Sequence, residues 1–470
     1  MLFNSTAYLL FLPLVFLLYW SVPHKWRNAL LVAASFVFYG WWDVRFLGLM
    51  IATCLVNYLL ALAMGEKNGH SPDNRRRKLL CALAILTNFA ILGVFKYFNF
   101  FAATLAEACA TFGWQLHFPV LHILLPVGIS FYTFQVTGYI IDVYRGSLPP
   151  ERSATRFFAF ISFFPQLVAG PIERATQLLP QFAVERKFSR PMAVDGMRLI
   201  LWGLLKKMLI ADNCATVANY IFAHSDTVSS SDLWVGILCF AFQIYGDFSG
   251  YSDMAVGSAK LFGIRLMRNF DRPYFSQSIP EFWRRWHISL MTWFRDYLYI
   301  PLGGNRRGTF RKHLNTVVVF LVSGLWHGAN WTFIAWGAYH AVLFLPYSLL
   351  GKARATGSRL VRLLRTSTTF LLVLLGWVFF RAESLSQAFA YLGGMFSPDR
   401  FGPTSCSRLP LLYVALLLVA ESFSHGEHPL ALRGTGLMRH RPARFALYYL
   451  LFLTALFAGG KPESFIYFQF

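Results

Sequence analysis

Unbroken apolar runs of about 15–25 residues recur along almost the whole chain, and they constrain its fold more than any other feature. A helix rises about 1.5 Å per residue, so roughly 20 apolar residues cross the hydrocarbon core of a bilayer. Strands of a membrane β-barrel would alternate apolar and polar residues over about ten positions, and these runs do not alternate. Charge supports the same reading. Only 14% of the 470 residues are charged, against about 25% in an ordinary soluble domain. That is too little to coat the roughly three soluble domains this length would otherwise suggest. A soluble enzyme, a disordered chain and a collagen-like repeat are excluded. The predicted class is an all-α polytopic membrane protein.

Spans are predicted at about 7–22, 29–43, 46–64, 79–101, 120–143, 197–223, 233–259, 314–330, 331–350, 367–381, 409–424 and 443–460. Segment 157–170 is apolar but lies between basic loops, so it reads as re-entrant or interfacial. The 43 Lys and Arg against 22 Asp and Glu give a net charge of +21. In a soluble protein this would suggest nucleic acid, but in a membrane protein it reports orientation, because cytoplasmic loops collect Lys and Arg. With the N-terminus outside, segments 23–28, 65–78, 144–198, 260–313, 351–366 and 425–444 fall on the cytoplasmic side and hold 35 of the 43 basic residues. The opposite loops 102–119 and 224–232 hold none. No nucleic-acid partner is expected; the basic loops face the cytoplasm and membrane lipid. Lys25 and Arg27 follow the first apolar run rather than precede it, which fits a retained span with the N-terminus outside. Twelve spans would put the C-terminus outside as well.

The chain reads as a single integral membrane domain over 1–470, with N-terminal spans to about 145, a polar and aromatic core over 155–345, and C-terminal spans over 351–470. No direct or inverted repeat is visible, which counts modestly against a transporter. Cys54, Cys81, Cys109, Cys214, Cys239 and Cys406 are scattered, with no CxxC or metal-ligand spacing, so neither a disulfide nor a metal is expected.

An ionisable group at membrane depth is a functional candidate by default. His327, in Ser323-Gly324-Leu325-Trp326-His327-Gly328-Ala329-Asn330-Trp331, lies in a stretch with no Asp, Glu, Lys or Arg between Leu314 and Leu350. Helical spacing would place Gly324, His327, Gly328 and Trp331 on one face, where the glycines leave room for a neighbouring helix or a substrate. A neutral imidazole is the commonest general base. The alternative is a core histidine donating to a backbone carbonyl. His287 is the second candidate. A continuous helix over 281–296 would put Glu281, Arg284, Arg285, Ser289, Thr292, Arg295 and Asp296 on one polar arc, with His287 on the aromatic side. A polar rim position on a surface helix is the competing reading. The basic residues near 306 would meet a cofactor phosphate or lipid headgroups. Asp247 and Asp253 lie inside a long predicted span and require partners, for which a nearby Arg or hydroxyl is expected. Phe163–Arg174, with two prolines and a glycine, suits a bent, non-spanning segment. His340, His122 and His117 read as structural.

Taken together and in this order, Phe163–Glu173, Gln243–Asp253, Glu281–Asn305 and Ser323–His340 resemble the membrane-bound O-acyltransferase family. The run Phe282-Trp283-Arg284-Arg285-Trp286-His287 through Ile300-Pro301-Leu302-Gly303-Gly304-Asn305, then Leu325–Trp331, is most similar to its alginate O-acetyltransferase branch, as is the ending Phe465–Phe470. The resemblance implies about 11–13 transmembrane helices, with re-entrant or interfacial helices, around a central catalytic cavity. It implies acetyl-CoA as acyl donor from the cytoplasm, with no permanently bound cofactor. The acceptor would be an extracytoplasmic polysaccharide, with alginate-like polymers favoured and peptidoglycan or cellulose open. A separate SGNH-type acetyltransferase is an implied partner, and the bacterial cytoplasmic membrane the implied location. It places the catalytic positions at His327 and His287. Trp326, Asn330, Arg285 and Asp296 are assigned to donor binding. The rival from another class is a proton-coupled transporter using the same buried His and Asp residues; a scaffold for polymer secretion is a third.

Overall fold

The computed structural model describes residues 1–65, 73–116, 118–121, 124–168, 170–349, 358–424, 429–430 and 439–468. His117 and His122 lie outside them, as does the 66–72 part of the first basic linker. Every regular element among the described residues is helical. By length and composition, four helices suffice to cross a membrane: Val44–Met64, Asn74–Ala110, Ser230–Leu261 and Arg359–Arg381. Shorter apolar helices, among them Thr6–Ser21 and Leu409–Ser422, fall where spans were predicted. Side chains such as Leu10, Leu86 and Phe457 are 70%, 67% and 84% exposed. Lipid tails are as apolar as leucine, so such an exterior is ordinary for a polytopic membrane protein.

The chain divides into two compact units. The first comprises 1–188 with 262–266. Its helices His24–Gly40, Val44–Met64, Asn74–Leu92 and Ile129–Arg145 carry few buried charges, and the last three join through buried polar side chains. Asn57 and Asn88 exchange hydrogen bonds of 2.7 and 3.0 Å, and Asn88 also donates to Thr137 at 3.3 Å. Such amide pairs hold helices together where there is no water to exclude. Among the described residues of the predicted span 120–143, helix begins at Ile129. Pro126 lacks an amide donor and Gly128 is left-handed at φ 73°, which sets the start of the helix just after them. Segment 154–168 forms two short buried helices, Ala154–Ser162 and Phe164–Leu167, neither long enough to span.

The second unit comprises 189–261 and 267–470. It is built around Ser230–Leu261, of whose most apolar stretch 83% is buried. Arg190–Leu204 packs along this helix through glycines that allow backbone contact. A Cβ on Gly196 would lie 2.6 Å from the Gly257 carbonyl oxygen, and one on Gly203 would lie 2.5 Å from that of Gly250. The helix then widens into a π-helical turn, Leu205–Ala211, which turns Lys206 and Lys207 into the interior. π-turns of this kind are frequent at functional sites.

Candidate active site

His287 does not sit in a continuous helix. The helix Ile279–Arg285 stops at Trp286, which is extended, and a second helix runs Ile288–Phe294. His287 is the hinge, left-handed at φ 43° and ψ 53°. A non-glycine residue there costs about 1–3 kcal/mol and persists only where its surroundings enforce it. Asn269 does so. Its carbonyl accepts the Ile288 N–H at 2.9 Å, its Oδ1 accepts the Ser289 hydroxyl at 2.6 Å, and its Nδ2 donates to Ser252 at 3.0 Å. The Asp271 N–H donates to the Arg285 carbonyl at 3.0 Å on the other side of the hinge. The predicted polar arc over 281–296 is therefore broken, and Ser289, expected on that arc, is buried against Asn269.

His327 is the last residue of Gly308–His327, and Gly328 is already extended. Trp331 begins the next helix, so it does not share a helical face with His327 as the spacing had suggested. Of the two uses expected for the glycines, the fold shows close approach of a neighbouring helix. A Cβ on Gly324 would lie 2.2 Å from the Phe333 carbonyl oxygen, and one on Gly337 2.4 Å from that of Phe320. Asn330 holds the turn, with Oδ1 accepting the Thr332 N–H at 3.0 Å and Nδ2 donating to the Glu383 carbonyl at 3.0 Å.

The two imidazoles meet at a centroid separation of 6.4 Å, too wide for the rings to hydrogen-bond directly. Both are buried, at 1% and 3% exposure. Trp326 touches both, 5.8 Å from His287 and 5.0 Å from His327. Phe248 stands edge-on to His287 at 4.7 Å, and Trp336 and Phe380 stand edge-on to His327 at 5.1 and 5.3 Å. Tyr467, from the segment beyond the helix Arg441–Ala458, lies 5.6 Å from His327 and 6.4 Å from His287. Of the six predicted site residues, the fold thus gathers His287, Trp326 and His327. Arg285 is paired with Glu281 at 2.7 Å, Asp296 with Arg295 at 2.7 Å, and Asn330 serves its turn. His340 packs among aromatic rings, 4.9 Å from Trp283 and 5.1 Å from Trp336.

Sequence reasoning missed two features here. One is Tyr467, which sits in a single 3-10 turn, Ile466–Phe468, too short to carry a periodicity. The other is a charged cavity of about 510 Å³, lined by Arg198, Lys206, Lys260, Arg268 and Arg272 together with Asp195, Asp253 and Glu421. Its wall includes Ser252, Asn269 and Phe270. Phe270 touches Phe248 at 5.0 Å, and Phe248 touches His287, so a thin layer of side chains separates cavity from imidazole. The intramembrane aspartates are paired with lysines rather than with Arg or hydroxyls. Lys206 bonds Asp253 at 2.5 Å, and Lys207 bonds Asp212 and Asp247 at 2.8 and 2.9 Å. Two lysines inside a predicted span were the available signal.

An aromatic-lined imidazole pair near a cavity rich in basic side chains suits base-assisted transfer from an anionic donor. Residues 150–356 match the membrane-bound O-acyltransferase family. The chain is 45% identical to the probable alginate O-acetylase of Azotobacter vinelandii, over 89% of this chain and 83% of that protein. It is 37% identical to the peptidoglycan O-acetyltransferase of Helicobacter pylori, over 84% and 80%. It is 29% identical to the teichoic acid D-alanyltransferase of Bacillus subtilis, over 51% and 62%. Similarity of this extent, on an all-helical frame with buried imidazoles, makes the chain a member of the membrane-bound O-acyltransferase family, a multi-pass membrane O-acyltransferase.

Proposed function

We propose that this enzyme takes acetyl from cytoplasmic acetyl-CoA and delivers it for O-acetylation of an extracytoplasmic polysaccharide, alginate-like polymers being favoured. The observation that carries the reading is the cavity separated from His287 by Phe270 and Phe248, with five basic against three acidic side chains in its lining. Arg198, Lys260, Arg268 and Arg272 belong to segments assigned to the cytoplasmic side by their basic residues. Coenzyme A is rich in phosphate, and guanidinium groups suit phosphate recognition. The donor would lay its phosphates there and extend its thioester toward the imidazoles. This moves donor binding from Arg285, Asp296 and Asn330 to the cavity, and leaves Trp326 as a wall of the reacting space.

His327 acts as general base. It takes the proton of an acceptor hydroxyl as that oxygen attacks the thioester carbonyl. A C–O bond forms, the C–S bond breaks, and coenzyme A leaves as a thiolate, which needs no strong acid. His287, fixed by its hinge, orients the thioester. The acceptor side would be served by an SGNH-type transferase that completes delivery to the polymer. The protein would reside in the bacterial cytoplasmic membrane, with both termini outside. The test compares parent and His327→Ala protein, matched for amount in the membrane, for acetyl on the surface polymer and for CoA release by the purified enzyme. Loss of a general base predicts a fall of about 10²–10⁴-fold. Unchanged acetylation would remove His327 from the mechanism.

A further inference from the structure

The segment that brings Tyr467 to the imidazoles is held by charges. Lys207 lies 1% exposed between the carboxylates of Asp212 and Asp247. Burying three charges is expensive, and replacing such a group by apolar side chains is often neutral or stabilising. Stability alone therefore accounts poorly for its presence. Its remaining bonds reach one place. The Lys207 ammonium donates to the Glu463 carbonyl at 2.9 Å, and Asp247 Oδ2 accepts the Ile466 N–H at 2.6 Å. The segment enters under the same control. The Gly460 N–H donates to the Met208 carbonyl at 3.0 Å, and a Cβ on Gly460 would lie 2.5 Å from the carbonyl carbon of Asp212. Phe465 packs on Tyr251 at 4.6 Å, one helical turn beyond Asp247.

We propose that Lys207, Asp212 and Asp247 are positioning residues, an ionic clamp that fixes residues 460–467 so that Tyr467 closes the wall facing His287 and His327. The proposal rests on the imidazole pair being the reaction centre. Asp247 gives the sharpest handle. Asp247→Asn keeps a carbonyl oxygen for the Ile466 N–H, while Lys207 keeps Asp212. Asp247→Leu removes that acceptor. Gly460→Ala displaces the segment and leaves every charge in place.

Two measurements on the full-length protein decide it. The first follows maleimide labelling of Ile466→Cys, a side chain 1% exposed in the fold, against the same protein without that cysteine. Labelling should be slow in the parent and in Asp247→Asn, and about tenfold faster in Asp247→Leu and Gly460→Ala. The second is CoA release from acetyl-CoA. Asp247→Leu and Gly460→Ala should lose about tenfold or more in kcat with KM for acetyl-CoA unchanged, because misplaced groups cost rate rather than donor binding. Asp247→Asn should restore most of kcat. Equal labelling in all variants, or full kcat in Asp247→Leu, overturns the clamp. If Asp247→Leu does not accumulate, Asp247→Ala, which removes the same acceptor with a smaller side chain, is read in its place, and full kcat with parental labelling there overturns the clamp. A parent that releases no CoA would sink the donor assignment, and labelling would still decide the clamp.

Discussion

Phe248 touches His287, and its neighbour in sequence, Asp247, holds Lys207, yet the two surroundings follow opposite rules. Around the imidazoles the described ring neighbours are Trp326, Trp336, Phe248, Phe380 and Tyr467. Around Lys206 and Lys207 stand the carboxylates of Asp253, Asp212 and Asp247. Each charge in the second region is matched to an opposite one at 2.5–2.9 Å, as burial demands. The contrast teaches how the unit separates two tasks. Fixed charge holds the frame and faces the cavity, while the proposed reacting space around the imidazoles is lined by aromatic rings.

The contrast is broken most severely by changing either region's defining group. His327→Ala should remove about 10²–10⁴-fold of turnover while leaving donor binding intact, read as kcat against KM. His327→Gln, which keeps polarity without a base, should fall as far. Lys207→Met should act on stability first. It leaves two buried carboxylates without their cation, which typically costs about 3–5 kcal/mol. Thermal unfolding of the detergent-solubilised protein should drop clearly below that of His327→Ala. If the two variants unfold alike, the lysine is not the keystone of the charged region.

The same contrast explains what was legible in the sequence. Spans were legible because length and hydropathy are local: 46–64 against Val44–Met64, 233–259 against Ser230–Leu261, and 409–424 against Leu409–Ser422. The break before Ile129 was not, since Pro126 was read through as an apolar residue. The imidazoles stood out as ionisable groups in apolar surroundings, and the fold brings them together. The hinge at His287 was hidden, because Asn269 enforces it from outside the segment. The Lys206–Asp253 and Lys207–Asp247 pairs join residues 47 and 40 positions apart, and no periodicity reports such a match. Tyr467 belongs to a segment whose place is set by Lys207 and Asp247, not by its own pattern.

Asn269→Ala sharpens the comparison at the boundary between the regions. The Ser252 and Ser289 hydroxyls each lose the hydrogen bond to the Asn269 side chain, while the backbone carbonyl still holds Ile288. A buried hydrogen bond of this kind is worth about 0.5–1.5 kcal/mol. The variant should remain folded, with a modestly lower unfolding temperature, and lose kcat as the hinge relaxes. Normal kcat would show that His287 needs no such support.

The smallest effect is expected in the cavity. Arg268 is half exposed, and its described ion partner, Asp271, is 3.7 Å away. Exposed charges of this kind are worth about 0.2–1 kcal/mol, so Arg268→Ala should raise KM for acetyl-CoA by about two- to fivefold. Turnover should not change, because Arg268 is not among the described ring contacts of the imidazoles and its side chain is half exposed. The effect should shrink as salt is raised, since mobile ions screen an exposed charge acting on a phosphate. Arg272→Ala is a less clean probe, because its guanidinium also bonds the Ser424 carbonyl and the variant would loosen the wall. A KM that does not move at low salt, with Arg268→Ala otherwise intact, would mean that the cavity's positive charge does not meet the donor, and the division between a charged binding region and a neutral reacting one would fail at its outer end.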